Sequence, residues 1–323
     1  MKVQIINGDC LEVMRGMEEE SVHCCITSPP YWGLRDYGVA GQLGLEKSPE
    51  EYVARMVEVF REVRRVLRDD GTLWLNLGDS YVANGSGQVP QTKDHKGSGF
   101  AGPNRDGQTG LKPKDLCMIP ARCALALQAD GWYLRQDIIW SKPNPMPESV
   151  TDRCTKAHEY IFLLSKSPRY YYDAEAVKEQ ASETSLARWN QDIDSQNGSS
   201  RVPGKTNGPM RAVGGPRIHG NIAGRDDGGA ACNKPGQFTR NRRSVWTVTT
   251  KPFRGAHFAT FPPDLIRPMV LAGCPVGGTV LDPFGGAGTT GLVAKQEGRN
   301  AILIELNPAY CGMGENRIAA VLV

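Results

Sequence analysis

Thr279-Val280-Leu281-Asp282-Pro283-Phe284-Gly285-Gly286-Ala287-Gly288-Thr289-Thr290 runs from a short apolar strand, through an acid and a glycine-rich turn, into the opening of a helix. Glycines after such a strand admit a nucleotide-like ligand where a Cβ would collide. The helix that follows, Thr289 to Gln296, offers the unpaired N–H groups of its first turn to an anionic part of that ligand. Glu305, which ends the next strand, Ala301 to Glu305, lies 23 positions beyond Asp282. A carboxylate at that distance can accept hydrogen bonds from both ribose hydroxyls, and it excludes a 2′-phosphate. The spacing departs from Gly-x-Gly-x-x-Gly, and on this stretch alone a generic dinucleotide turn stays open.

Outward from that turn the chain alternates helix and strand. Val3 to Ile6 and Val22 to Thr27 read as strands, with an amphipathic stretch through Leu11, Val13, Met14 and Met17 between them. Pro49 to Leu67 has apolar residues at helical spacing and leads into the strand Thr72 to Leu77. Ile119 to Asp130 reads as a helix stopped by Gly131, and Tyr133 to Trp140 and Tyr160 to Ser165 as strands. Pro262 to Leu271 and Pro308 to Val321 are the remaining helices. This alternation predicts a largely parallel sheet with helices on both faces.

The chain has 323 residues, 40% of them hydrophobic, enough for one large α/β domain with or without an insertion. No stretch is apolar enough to span a bilayer, and Met1 to Asp9 lacks the run of a signal peptide, so the expected location is the cytoplasm. Nine cysteines without a Cys-x-x-Cys pair suit reduced core thiols, and no metal is expected. Of 38 Lys and Arg, eleven fall between Arg201 and Arg254 against two acids, a local +9; the rest of the chain has 27 basic and 33 acidic residues. Positive charge is thus gathered where a polyanion can meet it, although a solvated basic loop has the same composition.

Two glycine-rich, polar segments interrupt the alternation, Asn84 to Gly110 and roughly Ser182 to Arg243. Loops this long are usually functional lids or disordered, and the second overlaps the basic segment, which fits order gained on binding a polyanion.

Ahead of both lies Thr27-Ser28-Pro29-Pro30-Tyr31-Trp32, at the end of the apolar strand that holds Cys24-Cys25-Ile26. This Ser-Pro-Pro-Tyr, with Asp-Pro-Phe-Gly-Gly-Ala-Gly-Thr-Thr at 282 to 290, resembles the DNA amino-methyltransferases of the beta class, in which the catalytic motif comes first and the cofactor motif last. The resemblance implies a circularly permuted, Rossmann-like methyltransferase fold with one antiparallel strand, binding S-adenosylmethionine and double-stranded DNA. It divides the chain into a catalytic half at 1–181, a target-recognition insertion at 182–254 and a cofactor half at 255–323.

It also assigns residues. Asp282, Pro283, Phe284, Gly285, Gly286, Gly288, Thr289, Thr290 and Glu305 would bind the cofactor, with the helix opening on its methionine carboxylate. Phe261 and Pro262, in His257-Phe258-Ala259-Thr260-Phe261-Pro262, would touch it too, and Asp9 would bond its adenine amine, although a turn or N-cap aspartate reads the same way. Ser28, Pro29, Pro30 and Tyr31 would form the catalytic clamp. An exocyclic amine is a poor nucleophile because its lone pair is delocalised into the ring. Acceptors from the Ser28 side chain and the Pro29 carbonyl would hold both N–H groups, and Tyr31 would stack on a base flipped from the duplex.

In this family Ser-Pro-Pro-Tyr goes mainly with cytosine N4, and aspartate or asparagine in place of the serine mainly with adenine N6. The absence of a Pro-Cys dipeptide argues against carbon-5 chemistry. Trp32, Asn144, Pro145, Arg240, Arg242 and Arg243 are the expected DNA contacts. His158-Glu159 reads as structural, in front of a strand. A cognate restriction endonuclease is an expected partner class, and monomer and homodimer both stay open.

Overall fold

The computed structural model describes residues 1–34, 36–82, 110–184, 239–250 and 261–321. The chain divides into two compact units, Met1–Ala176 with Arg243–Val323, and Val177–Arg242. Most of the second unit, and with it most of the expected target-recognition segment, lies outside the described residues, as do His257 to Thr260 and nearly all of the first glycine-rich loop. What is described of the second unit includes a two-residue antiparallel pair, β6 (Glu179–Gln180) with β7 (Thr239–Arg240).

The first unit is built on an eight-stranded sheet in the order β1-β10-β9-β2-β3-β5-β4-β8. Its strands are β1 (Val3–Asn7), β2 (Val22–Thr27), β3 (Leu67–Leu77), β4 (Tyr133–Ser141), β5 (His158–Ser165), β8 (Val245–Thr247), β9 (Thr279–Asp282) and β10 (Asn300–Glu305). Only β5 runs against the rest, pairing antiparallel with β3 and β4. The expected mixed, mostly parallel sheet with one reversed strand is what forms.

β2 is central, and five of its six residues are buried, as a strand covered on both faces requires. On one face Cys25, Leu73 and Leu75 join the core of α1 (Cys10–Arg15), α2 (Pro49–Val66) and α3 (Ile119–Ala129). On the other, Cys24, Thr72 and Trp74 press against Gly273 at the end of α4 (Pro263–Gly273), where a Cβ would come within 2.5 Å of the indole nitrogen. α5 (Thr289–Gln296) and α6 (Pro308–Ala319) complete the helices among the described residues.

α2 shows how local chemistry sets an element. Ser48 caps it by accepting from the Glu51 N–H, Pro49 opens its first turn, and Tyr52, Met56, Val59, Phe60 and Val63 form the buried stripe. β3 begins five residues earlier than the apolar pattern indicates, because Leu67 pairs with Val22 before an irregularity in register. No described helix is long and apolar enough to cross a membrane.

Candidate active site

Parallel order brings the carboxyl ends of β1, β2, β9 and β10 to one edge of the sheet, and a pocket opens there. Its wall includes Asp9 from the end of β1, Ser28 and Pro30 from the end of β2, and Phe261 ahead of α4. Pro283, Phe284, Gly285, Gly286, Thr289 and Glu305 supply the rest of the expected cofactor side. Two motifs more than 250 residues apart in sequence therefore face one cavity.

The remaining expected cofactor residues shape the wall without lining it. Asp282 is 1% exposed, and its carboxylate accepts from Thr27 Oγ1 at 2.7 Å, Thr290 Oγ1 at 2.6 Å and the Phe284 N–H at 3.1 Å. Burial pushes its carboxyl up to about 6 against those hydrogen bonds. Pro262 is the buried N-cap of α4. Gly288 caps α5 with φ +74°, a conformation that suits glycine. Gly285 is small for a reason other than ligand approach, since a Cβ there would lie 2.9 Å from Leu303 Cβ on β10.

Glu305 accepts from the backbone N–H groups of Gly286 and Asn307, both at 2.8 Å, and burial raises its carboxyl. Asp9 takes the N-cap position, one of the two readings open to it in the sequence. It lines the pocket, and its Oδ1 caps α1 by accepting from Leu11 at 2.9 Å and Glu12 at 3.1 Å. Cys10, beside it, has its thiol pushed up to about 12, chiefly by burial, so it stays protonated and offers no nucleophile.

The Ser-Pro-Pro-Tyr turn is held at several points. Thr27 is tied to Asp282, and Tyr52 on α2 donates to the Pro30 carbonyl at 2.9 Å. Tyr31 packs its ring over Gly78, where a Cβ would come within 2.5 Å of Cε2, and its hydroxyl donates to Glu159 Oε2 at 2.7 Å. Ser28 Oγ donates to the Tyr31 hydroxyl at 3.3 Å. Asn76 Nδ2 donates to the same Glu159 oxygen at 3.0 Å, and Lys142 Nζ pairs with Glu159 Oε1 while lying 4.3 Å from the centre of the Trp140 ring. Glu159, read from the sequence as structural, is thus the hub of a polar network that ends at Ser28.

Trp32 corrects an expectation. It is 3% exposed, and its Nε1 donates to the Glu46 carbonyl at 3.1 Å, so it anchors the turn in the core and has no surface to offer DNA. Asn144 is exposed and exchanges amide hydrogen bonds with the backbone of Thr250, at 3.0 and 3.1 Å, with half-buried Pro145 beside it; neither lines the pocket. Arg240 lies 3.5 Å from Glu179, across the β6–β7 pair of the second unit. Arg242 is the last residue of that unit, and Arg243, the first of the returning segment, accepts at its carbonyl from Trp246 Nε1. Tyr37, Val39, Gln42 and Leu43, in an irregular stretch after the clamp, also line the pocket and were missed in the sequence.

A family model described as DNA methylase, of the N6 and N4 type, matches residues 22–316. The chain belongs to this family. Among curated relatives of this DNA methylase, Type II methyltransferase M.Cfr9I of Citrobacter freundii is 46% identical over 314 residues, covering 97% of this chain and 87% of that protein. Type II methyltransferase M.SmaI of Serratia marcescens is 45% identical over 316 residues, covering 98% and 90%. The fold matches that of PvuII DNA methyltransferase (cytosine-N4-specific), with a TM-score of 0.61 at 19% identity over 98% of this chain and 86% of that one. It also matches the putative DNA modification methylase TTHA0409 of Thermus thermophilus, solved in complex with S-adenosyl-L-methionine, with a TM-score of 0.58 at 22% identity over 98% and 93%.

Proposed function

We propose that this DNA methylase transfers a methyl group from S-adenosylmethionine to N4 of a cytosine at a specific site in double-stranded DNA. The observation that carries the reading is Ser28, which faces the same pocket as Asp9, Phe284 and Glu305. The pocket fits the cofactor by the chemistry of its wall. Glu305 is an acid for the ribose, Asp9 has a second carboxylate oxygen for the adenine amine, and Phe261 and Phe284 are aromatic faces. Pro283, Gly285, Gly286 and Thr289 form the turn and helix opening beside them, while Asp282, Gly288, Thr290 and Pro262 hold that turn in shape.

S-adenosylmethionine supplies an electrophilic methyl group. The chain's part is to hold and aim the nucleophile. The Ser28 hydroxyl and the Pro29 carbonyl accept from the two N–H groups of the target amine, localising the nitrogen lone pair. Pro29 and Pro30 stiffen the turn and donate no competing N–H. The Tyr31 ring takes one face of the flipped base.

A serine hydroxyl, in place of a charged carboxylate, favours cytosine N4; adenine N6 is the second reading, because adenine presents an amine of similar geometry. The segment 182–254 supplies the DNA-reading surface, with Arg240, Arg242 and Arg243 on phosphates and Asn144 and Pro145 on the base side. A restriction endonuclease cutting the same site is the partner class this activity implies.

Incubation with unmethylated duplex DNA and S-adenosylmethionine, followed by digestion to nucleosides and mass spectrometry, tests the proposal. N4-methylcytosine is the expected product. N6-methyladenine would overturn the base assignment, and no methylated nucleoside would overturn the activity.

A further inference from the structure

The hydroxyl chain at the clamp has a direction. Tyr31 has one hydroxyl proton and gives it to Glu159 at 2.7 Å, so its oxygen is left to accept from Ser28 at 3.3 Å. Ser28 then has only lone pairs to turn toward the pocket it lines. A free serine hydroxyl donates as readily as it accepts, and a donor facing an amine would spoil the clamp. The Ser28 link is the long one, as catalytic hydrogen bonds commonly are before substrate binds.

Glu159 is equipped for this task. Its side chain is 14% exposed and that of its partner Lys142 is 18% exposed, so the pair is largely shielded from solvent. Asn76, 2% exposed, spends its Nδ2 on Glu159 and the Tyr160 carbonyl. Its Oδ1 has no protein partner among the described residues. A buried ion pair with an added amide donor is weak support for stability, whereas it fixes a carboxylate in place.

We propose that Glu159 is a positioning residue that makes Ser28 an obligate hydrogen-bond acceptor and, through Tyr31, draws off the proton the methylated amine must lose. This rests on the methyl-transfer reading above. As the amine nitrogen bonds the methyl carbon, the carbon–sulfur bond breaks and its electron pair stays on sulfur. The nitrogen, now cationic, releases one proton to Ser28 Oγ; the Ser28 proton passes to Tyr31 Oη, and the Tyr31 proton to Glu159 Oε2. Glu159 ends neutral beside Lys142, and atoms and charge balance.

The test compares the wild-type protein with Tyr31→Phe, Glu159→Gln and the double variant. Tyr31→Phe keeps the ring for stacking and for Gly78 and removes only the relay oxygen. Single-turnover methyl transfer should fall on the order of a hundredfold in each single variant and no further in the double. Calorimetric affinity for S-adenosylmethionine and gel-shift affinity for DNA should stay at wild-type values; Tyr31→Phe should keep the wild-type melting temperature, whereas Glu159→Gln, which leaves Lys142 without its partner, should melt lower. A Tyr31→Phe variant that transfers methyl at the wild-type rate overturns the relay while leaving the activity intact. Glu159→Gln losses that fall on melting and binding while the single-turnover rate stays at the wild-type value reduce Glu159 to a structural role. A wild-type protein that forms no methylated nucleoside removes the reading beneath both.

Discussion

Thr27 Oγ1 donates to Asp282 Oδ1 at 2.7 Å, joining residues 255 positions apart. One is the last residue of β2, immediately before the Ser-Pro-Pro-Tyr turn, and the other the last of β9, immediately before the glycine turn. A single buried carboxylate, held also by Thr290 and the Phe284 N–H, thus sets the relative position of the two motifs.

The Asp282 carboxyl, raised from 3.8 to about 6 mainly by burial, makes stability depend on pH. The folded protein holds this proton more tightly than the unfolded chain does. Its contribution is therefore full below a pH of about 4 and is lost as the pH rises through about 6. At about 1.4 kcal/mol per pKa unit the loss is roughly 3 kcal/mol. Asp282→Asn keeps an oxygen for Thr27 and Phe284, and its denaturation free energy should lack that fall between about pH 4 and 7; parallel curves for the two proteins would refute the assignment.

Gly78 leaves no room for a side chain beside Tyr31, with Cε2 2.5 Å from a Cβ built there. Gly78→Ala should destabilise the protein by about 1 to 3 kcal/mol and displace Tyr31. The methyl-transfer rate should drop more than cofactor affinity does, read by single-turnover assay and calorimetry.

Asp9 both caps α1 and lines the pocket, and the two roles separate by substitution. Asp9→Ala should lower stability by about 1 kcal/mol and weaken S-adenosylmethionine binding. Asp9→Ser restores the cap, so its melting temperature should recover while cofactor affinity stays low. Recovery of both in calorimetry would leave Asp9 a cap alone.

Ser28→Ala removes the hydroxyl that faces the pocket and leaves the turn's anchors at Thr27, Pro30 and Tyr31 in place. Turnover should be abolished with DNA and cofactor binding retained. A variant with residual turnover near the wild-type rate would move the clamp away from Ser28.

Arg240, Arg242 and Arg243, replaced singly by alanine, should weaken binding to all duplexes alike. Each lost phosphate contact should reduce the slope of log affinity against log salt by about 0.9. A variant that changes preference among sequences and leaves the slope intact would be reading bases.

Much of this was legible in the sequence, and the rest was hidden for physical reasons. β2 and α5 have the ends their apolar patterns indicate, since burial on both faces and a glycine-rich turn are local signals. β8 was not legible: it has three residues, of which only Trp246 is buried, and its place comes from pairing with β4 about a hundred residues earlier. Trp32 beside the Ser-Pro-Pro-Tyr turn reads as a contact residue, and its burial in the core and its bond to Glu46 make it an anchor. Glu159 reads as an ordinary strand opening, because its partners Tyr31, Asn76 and Lys142 come from three other stretches of chain. Tyr37 to Leu43 shows no periodicity to mark it as a wall of the pocket.

The reversed direction of β5 has an evolutionary consequence. Its first residues lie at the edge where the parallel strands end, so Glu159 enters the network from a strand start while Ser28, Asn76 and Lys142 enter from or beside strand ends. The network is thereby hung on the ends of paired strands of one sheet. The peptide that leaves β5 and returns at β8 contributes none of these four side chains. On the proposed reading of that peptide as the DNA-reading segment, its replacement would change the address on DNA and leave these four side chains as they are.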